Sequence, residues 1–183
     1  MELEVGERMC LDRVENKMRN LFGLLTERIP DLTSSEIGVA YRWLVEIKMV
    51  LGNLNNDVSF VGALLAKDFL LKRHRLLGLD ISSKAQGAPG LDIDETTSEG
   101  DRVVAEIKTT IPYAGNKLGA QQEVTFRKDF VKLGAAKARF KYFFVTEKDA
   151  FDATLRKYQQ DLEGITLVLL PEGAHDDRFV RAL

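Results

Sequence analysis

Apolar residues in the first third of the chain recur at helical spacing. Between residues 10 and 29 they stand at three- and four-residue steps, which predicts one amphipathic helix that Pro30 ends. A second helix is predicted from near Ser35 to near Gly52, because residues 33–36 have the pattern of a capping box. Together these patterns predict an N-terminal helical region at residues 1–56.

The pattern changes after a third predicted helix. That helix is expected at residues 59–77, with a polar loop at residues 53–56 before it and Gly78 as its stop. Residues 79–83 have the composition of a short strand, and residues 84–89 that of a loop. The chain therefore passes from helices to a region where strands are expected.

The last hundred residues alternate between strand and helix patterns. The predicted elements are two strands at residues 91–97 and 102–110 around a turn at 98–101, a loop at 112–119, a helix at 120–133, a strand at 142–146, a helix at 148–160 and a strand at 165–170. This order predicts an α/β fold with a mixed central β-sheet flanked by helices. Residues 57–183 form the predicted core, and the whole chain is expected to be one compact domain.

The composition excludes several classes of protein. With 45% hydrophobic and 30% charged residues among 183, the chain is expected to be soluble and globular rather than disordered. The late apolar run at residues 165–170 is too short to span a bilayer, and the first residues lack the pattern of a secretory signal. The single cysteine, Cys10, allows no intrachain disulfide, so a cytoplasmic location without a membrane partner is expected.

Charge is distributed unevenly along the chain. The net charge is −2, but residues 58–146 hold 14 Lys and Arg against 10 Asp and Glu, which makes this segment +4. The flanks hold the other 12 basic and 18 acidic residues and are −6. Because binding to phosphates depends on local positive potential, the whole-chain charge does not exclude a nucleic-acid partner.

Charged residues interrupt the second predicted strand of the core. Alternate side chains of a strand share a face, so Glu106 and Lys108 point the same way from an otherwise apolar strand. Buried charges are costly unless they are paired or bind a metal. The preceding strand adds Asp92 and Asp94 on one face, and oxygen ligands from two adjacent strands suit a hard cation such as Mg²⁺.

Two short segments together resemble the PD-(D/E)xK motif of restriction-endonuclease-like nucleases: Pro89-Gly90-Leu91-Asp92 and Glu106-Ile107-Lys108. The resemblance covers residues 59–170 and implies a restriction-endonuclease-like core. It also implies that Asp92, Glu106 and the backbone carbonyl of Ile107 bind Mg²⁺, for which Mn²⁺ can substitute, and that Lys108 activates the attacking water. The aspartate follows Gly-Leu rather than proline directly, and Asp94 remains a rival to Asp92 as the metal ligand.

Residues after the motif strand are candidates for contact with DNA. A helix N-terminus is a natural phosphate site, and the helix predicted at 120–133 begins with glutamines in its first turn. The loop before it can reach a groove, and basic residues follow in the same helix. The candidate DNA-binding residues are Tyr113, Lys117, Gln121, Gln122, Arg127 and Lys128.

The resemblance implies a Mg²⁺-dependent DNA endonuclease, specifically a type II restriction endonuclease of a restriction-modification system. Cutting both strands of a symmetric site needs two active sites, so a homodimer on double-stranded DNA is expected, with the N-terminal helices as its interface. Two alternatives stay open: a structure-specific or repair nuclease, and a catalytically inactive DNA-binding protein with the same fold.

Overall fold

The structure is a computed structural model that describes residues 1–27, 37–84, 88–113 and 117–183. The predicted helix end at Pro30 and the predicted capping box at residues 33–36 lie outside the described residues. By its internal contacts the chain divides into two units, residues 2–57 and residues 58–183 together with Met1.

The first unit contains two helices, α1 (Val5–Glu27) and α2 (Ile37–Leu51). α1 begins five residues before the predicted start, and the side chain of Glu7 accepts a hydrogen bond from the backbone N–H of Glu4 at 2.9 Å. α2 ends one residue before Gly52, whose φ of 53° lies in the left-handed region that favours glycine. The predicted end of this helix is therefore confirmed.

The third helix, α3 (Leu54–Arg73), spans the boundary between the units. The prediction of a loop at residues 53–56 was wrong, because the side chain of Asn53 accepts a hydrogen bond from the backbone N–H of Asn56 and caps a helix there. α3 also ends earlier than predicted. The backbone N–H of Leu77 instead donates to the carbonyl of Thr96, so these residues run beside the sheet.

The prediction of a short strand at residues 79–83 was also wrong. A single 3₁₀ turn forms at Ile81–Ser83. The carboxylate of Asp80 accepts hydrogen bonds from the backbone N–H of Ser82 at 2.8 Å and from its hydroxyl at 2.6 Å. Such local side-chain capping competes with strand pairing, which explains the difference.

A mixed sheet of five strands forms the centre of the second unit. Its strands are β1 (Ile93–Thr96), β2 (Arg102–Lys108), β3 (Phe140–Val145), β4 (Thr166–Leu169) and β5 (Val180–Ala182), and they lie in that order across the sheet. β2, β3 and β4 are mutually parallel, and an antiparallel strand pairs at each edge. The predicted α/β class is confirmed, while β5 was not predicted because it is short and largely exposed.

The two faces of the sheet bury separate apolar clusters. Two crossover helices, α4 (Ala120–Ala135) between β2 and β3 and α5 (Lys148–Lys157) between β3 and β4, cover one face, and α3 covers the other. Alternation along β2 sends Val104 to the cluster of α4 and α5 and Val103 to the cluster of α3. No helix in the described part of the chain has both the length and the apolar character that crossing a membrane requires.

Candidate active site

The β1–β2 hairpin sets the position of the first acidic residue. Ile93 pairs with Ala105 in antiparallel register, so Asp92, one residue before β1, lies opposite Glu106 when the register is continued. The carboxylate of Asp92 accepts a hydrogen bond from the backbone N–H of Ile107 at 2.8 Å. This bond fixes Asp92 beside the C-terminal half of β2, where the sequence predicted a metal ligand.

Glu106 is a buried carboxylate in the middle of the apolar sheet. It is only 2% exposed, and it shares the face of β2 that carries Val104 and Lys108. Burial, followed by the negative charge of Asp92, raises the pKa of Glu106 to about 7. A hydrogen bond from Lys132 acts in the opposite direction, but it does not outweigh burial and the neighbouring carboxylates. A cation between Asp92 and Glu106 would relieve this repulsion.

Helix α4 brings a third carboxylate, that of Asp129, to the site. Asp129 is 4% exposed, and its Oδ2 lies 2.5 Å from Nζ of Lys108. Its other oxygen, Oδ1, lies 3.0 Å from Nζ of Lys132. Asp129 thereby links the ammonium group of the motif strand to an ammonium group of the helix.

Lys132 completes a network of four alternating charges. Its Nζ lies 3.0 Å from Oε1 of Glu106, so the order is Glu106, Lys132, Asp129, Lys108. Burial disfavours its charged form, but hydrogen bonds to Asp129 and Glu106 outweigh that effect and raise the pKa of Lys132 to about 12. The ammonium group is therefore a permanent positive charge at neutral pH.

The sequence predicted no role for Asp129, and for Lys132 it predicted only the contact with a phosphate backbone that the basic residues after the motif strand share. A signal was nevertheless present, because Asp129 falls between Phe126 and Phe130 and one turn before Leu133, all buried on one helix face. A carboxylate within the apolar stripe of a helix needs a partner for the same reason as Glu106 in β2. The pairing of the two could not be foreseen, since it depends on where α4 packs.

Asp94, the rival of Asp92, is engaged elsewhere. Its two carboxylate oxygens accept hydrogen bonds from Nε and Nη2 of Arg102 at 2.7 and 2.6 Å. These bonds lower the pKa of Asp94 despite some desolvation. Asp94 shares a face with Asp92, but the structure places only Asp92 against the backbone of Ile107.

Two of the candidate DNA-binding residues already have structural roles. The side-chain oxygen of Gln122 accepts from the backbone N–H of Gly119 at 2.9 Å, which caps the start of α4. Its amide nitrogen donates to the carbonyl of Ile111 at 3.0 Å. Arg127 forms an ion pair with Asp161 at 3.3 Å, and its guanidinium carbon lies 4.9 Å from the ring centre of Tyr158. The other candidates are exposed: Tyr113, Lys117, Gln121 and Lys128.

The donor atoms of the candidate metal site are few. Among residues 1–27, 37–84, 88–113 and 117–183, no group of three or more His, Cys, Asp or Glu side chains is arranged to hold a metal ion. Asp92 and Glu106 offer carboxylate oxygens from two residues. Mg²⁺ is usually bound by one or two carboxylates and keeps several of its water ligands. The chemistry of this pair fits a magnesium ion, with the carbonyl of Ile107 as the further donor that the motif implies.

No protein-family model, curated protein or solved structure matched the chain. The candidate function therefore depends on the geometry of Asp92, Glu106, Lys108, Asp129 and Lys132.

Proposed function

We propose that this protein is a Mg²⁺-dependent DNA endonuclease with a restriction-endonuclease-like core, which hydrolyses phosphodiester bonds in double-stranded DNA. One observation carries the proposal: Asp92 accepts a hydrogen bond from the N–H of Ile107, next to the buried Glu106, and Lys108 lies two residues beyond Glu106 on the same face of β2. A buried carboxylate with a raised pKa beside a second carboxylate is a favourable place for a cation.

Each residue has a distinct part in the proposed reaction. Asp92 and Glu106 would hold Mg²⁺, which when bound supplies positive charge to the phosphate oxygens and lowers the pKa of water. The bond between Asp92 and the N–H of Ile107 orients the first carboxylate. Asp129 holds the ammonium group of Lys108, which can orient the attacking water and stabilise the negative charge that builds on the phosphate.

Type II restriction is the specific role that we propose, with cleavage by a homodimer. Exposed polar and basic residues in α4 and in the loop before it support contact with a phosphate backbone: Lys117, Gln121 and Lys128. The first unit presents exposed apolar side chains suited to self-association: Met18, Phe22, Ile37, Tyr41, Leu44 and Met49. A structure-specific or repair nuclease would use the same chemistry on nicked or branched DNA.

One observation favours a second candidate, a catalytically inactive DNA-binding protein. Lys132 and Lys108 together balance the charges of Glu106 and Asp129, so these two carboxylates are paired without a metal. Such a protein would bind DNA with a strong dependence on salt and would show no affinity for Mg²⁺ or Mn²⁺ that depends on Glu106.

Cleavage assays with matched variants test the proposal. Supercoiled, linear, nicked and branched DNA would be incubated with Mg²⁺, Mn²⁺ or EDTA and analysed on gels. We expect metal-dependent cleavage that falls by roughly 100-fold or more in Glu106→Gln and Lys108→Met, since each removes charge stabilisation at the reacting phosphate. Asp92→Asn should behave like Glu106→Gln, whereas Asp94→Asn should retain cleavage.

Asp152→Asn is the surface control, because Asp152 forms an exposed ion pair with Lys148 and makes the same carboxylate-to-amide change. Cleavage that persists in Glu106→Gln would contradict the assignment. Cleavage confined to branched substrates would favour the structure-specific nuclease. Salt-dependent DNA binding without cleavage in any divalent cation would favour the inactive protein.

A further inference from the structure

The ammonium group of Lys132 lies among oxygen atoms from three parts of the second unit. Nζ is 3.0 Å from Oε1 of Glu106 in β2, 3.0 Å from Oδ1 of Asp129 in α4, and 3.4 Å from the carbonyl oxygen of Gly90 before β1. Carboxylate and carbonyl oxygens are also the donors that hard divalent cations prefer. The lysine thus stands where a cation would be expected.

Lys132 is more exposed to solvent than the carboxylates around it. Its side chain is 35% exposed, against 2% for Glu106 and 5% for Asp129. A lysine carries its charge on a flexible four-carbon stem, so the ammonium group can turn towards solvent while the buried carboxylates stay in place. The ammonium group of Lys132 can therefore leave its position between Glu106 and Asp129 without moving either carboxylate.

We propose that Lys132 is an internal counter-ion, which neutralises Glu106 in the metal-free protein and releases it when a divalent cation binds. This inference rests on the proposed function, because it assumes that Glu106 is a metal ligand. Lys132 then has two opposite effects. It stabilises the metal-free fold by pairing with buried carboxylates, and it lowers the affinity for metal by competing for Glu106.

A different role for Lys132 predicts the opposite change in metal affinity when the lysine is removed. If the lysine were a fixed brace that orients Glu106 towards the metal, its removal would weaken metal binding. If it is a competing cation, its removal strengthens metal binding. The sign of the change in affinity separates the two roles, whereas a merely structural role would leave affinity unchanged in folded protein.

Metal titration of the full chain tests the inference. Binding of Mn²⁺ would be measured by calorimetry and by the electron paramagnetic resonance of free Mn²⁺, for wild type, Lys132→Met, Lys132→Gln and Glu106→Gln. We expect both Lys132 variants to bind Mn²⁺ roughly tenfold more tightly than wild type, a change of about 1.4 kcal/mol, because Glu106 no longer has to leave an ion pair to bind the metal. Their melting temperatures without metal should fall, and saturating Mn²⁺ should remove the difference.

Lys148→Met is the matched control, because it removes the same charge from the surface pair with Asp152. Its Mn²⁺ affinity should equal that of wild type. Two substitutions are made at position 132 because one of them is enough for the measurement if the other does not fold. Methionine keeps the length of the side chain, and glutamine keeps a polar group.

The outcomes distinguish this inference from the proposed function. Mn²⁺ binding by wild type that is lost in Glu106→Gln, without a gain in either Lys132 variant, would overturn the counter-ion role and leave the metal site standing. Absence of Glu106-dependent Mn²⁺ binding in wild type and in both Lys132 variants would overturn both. A gain in Mn²⁺ affinity without DNA cleavage would support the counter-ion role and count against the nuclease.

Discussion

At the scale of single residues, the four-charge network is more than the fold requires. Glu106 and Asp129 are almost fully buried, and each is paired with a lysine. Replacing a buried ion pair by apolar residues of similar volume is often neutral or stabilising, whereas removing one member costs several kcal/mol. Stability alone gives no reason to keep these charges, which supports a chemical role for Glu106 and its partners.

On the face of the sheet that α3 covers, opposite the candidate site, the partly buried His74 gives a prediction about stability and pH. Its Nε2 and the hydroxyl of Tyr142 are 2.7 Å apart, and its ring centre lies 4.4 Å from that of Phe140. Desolvation, and then the charge of Arg73, lower the pKa of His74 below 6.5. The unfolded chain therefore binds more protons than the folded one as the pH falls through 6.5, so His74 reduces stability on the acid side.

His74→Gln should remove this effect, because glutamine does not titrate and can still bond to the hydroxyl of Tyr142. The free energy of unfolding would be measured by urea denaturation between pH 5 and 8. We expect wild type to lose stability relative to the variant below pH 6.5 and to run parallel to it above pH 7.5. A difference that does not change with pH would mean that His74 is not buried in its neutral form.

The positions of Glu106 and Lys108 could be predicted from the sequence, because both belong to one strand, β2. Alternation put Glu106 and Lys108 on one face of an apolar strand, which needs no knowledge of the partner elements. Alternation could not separate Asp92 from Asp94, since both share a face. Arg102 distinguishes the two, because it binds the carboxylate of Asp94 while that of Asp92 accepts from the backbone of Ile107, and these contacts depend on how the hairpin pairs.

At the scale of elements, α3 packs closely against the residue that follows β2, and Gly62 is the point of close contact. A Cβ atom added to Gly62 would lie 2.9 Å from Cγ2 of Thr109, the residue after Lys108. Gly134 in α4 is a matched helical glycine around which a Cβ would meet nothing within 4 Å. Substituting alanine at Gly134 measures the effect of helix propensity, and the same substitution at Gly62 adds the effect of close packing.

Gly134→Ala should raise the free energy of unfolding by about 0.5–1 kcal/mol, because alanine favours a helix over glycine. Gly62→Ala should be less stable than Gly134→Ala by about 1–3 kcal/mol, since the added methyl group must displace Thr109. Urea denaturation of both variants measures the difference. Equal gains at the two positions would show that α3 does not pack this closely against β2.

Elements were predictable where their pattern was local, and less so where a tertiary contact decided them. The β1–β2 hairpin follows from two apolar runs around the turn at residues 98–101. β5 has only three residues, and its pairing with β4 is what makes it a strand. The end of α3 was misplaced because Leu76 and Leu77, which are apolar enough for a helix, run beside the sheet instead.

At the scale of the whole molecule, charge is distributed unevenly along the chain, and exposed apolar side chains are present in both units. Residues 58–146, which contain the candidate site, carry an excess of four positive charges, while the flanks are negative. Exposed apolar side chains occur repeatedly in the first unit. The positive segment is consistent with the proposed contact with DNA, and the exposed apolar side chains of the first unit are consistent with the proposed homodimer.

Self-association through the first unit is the last prediction. Met18 and Phe22 lie one turn apart on α1 and are 67% and 69% exposed. We expect the full chain to sediment as a dimer at micromolar concentration, and Phe22→Glu with Met18→Glu to raise the dissociation constant at least about tenfold, because buried apolar anchors dominate interface energy. Sedimentation velocity across a concentration series measures this change.

Leu77→Glu is the control, because Leu77 is 73% exposed in the second unit and the substitution adds the same kind of charge to an apolar surface position. The control should sediment as wild type does. A monomeric wild-type chain at micromolar concentration would contradict the homodimer, and a dimer weakened equally by the control would place the interface elsewhere. If the chain is monomeric, the proposed cleavage of both strands needs two encounters, so nicked plasmid should accumulate before linear plasmid.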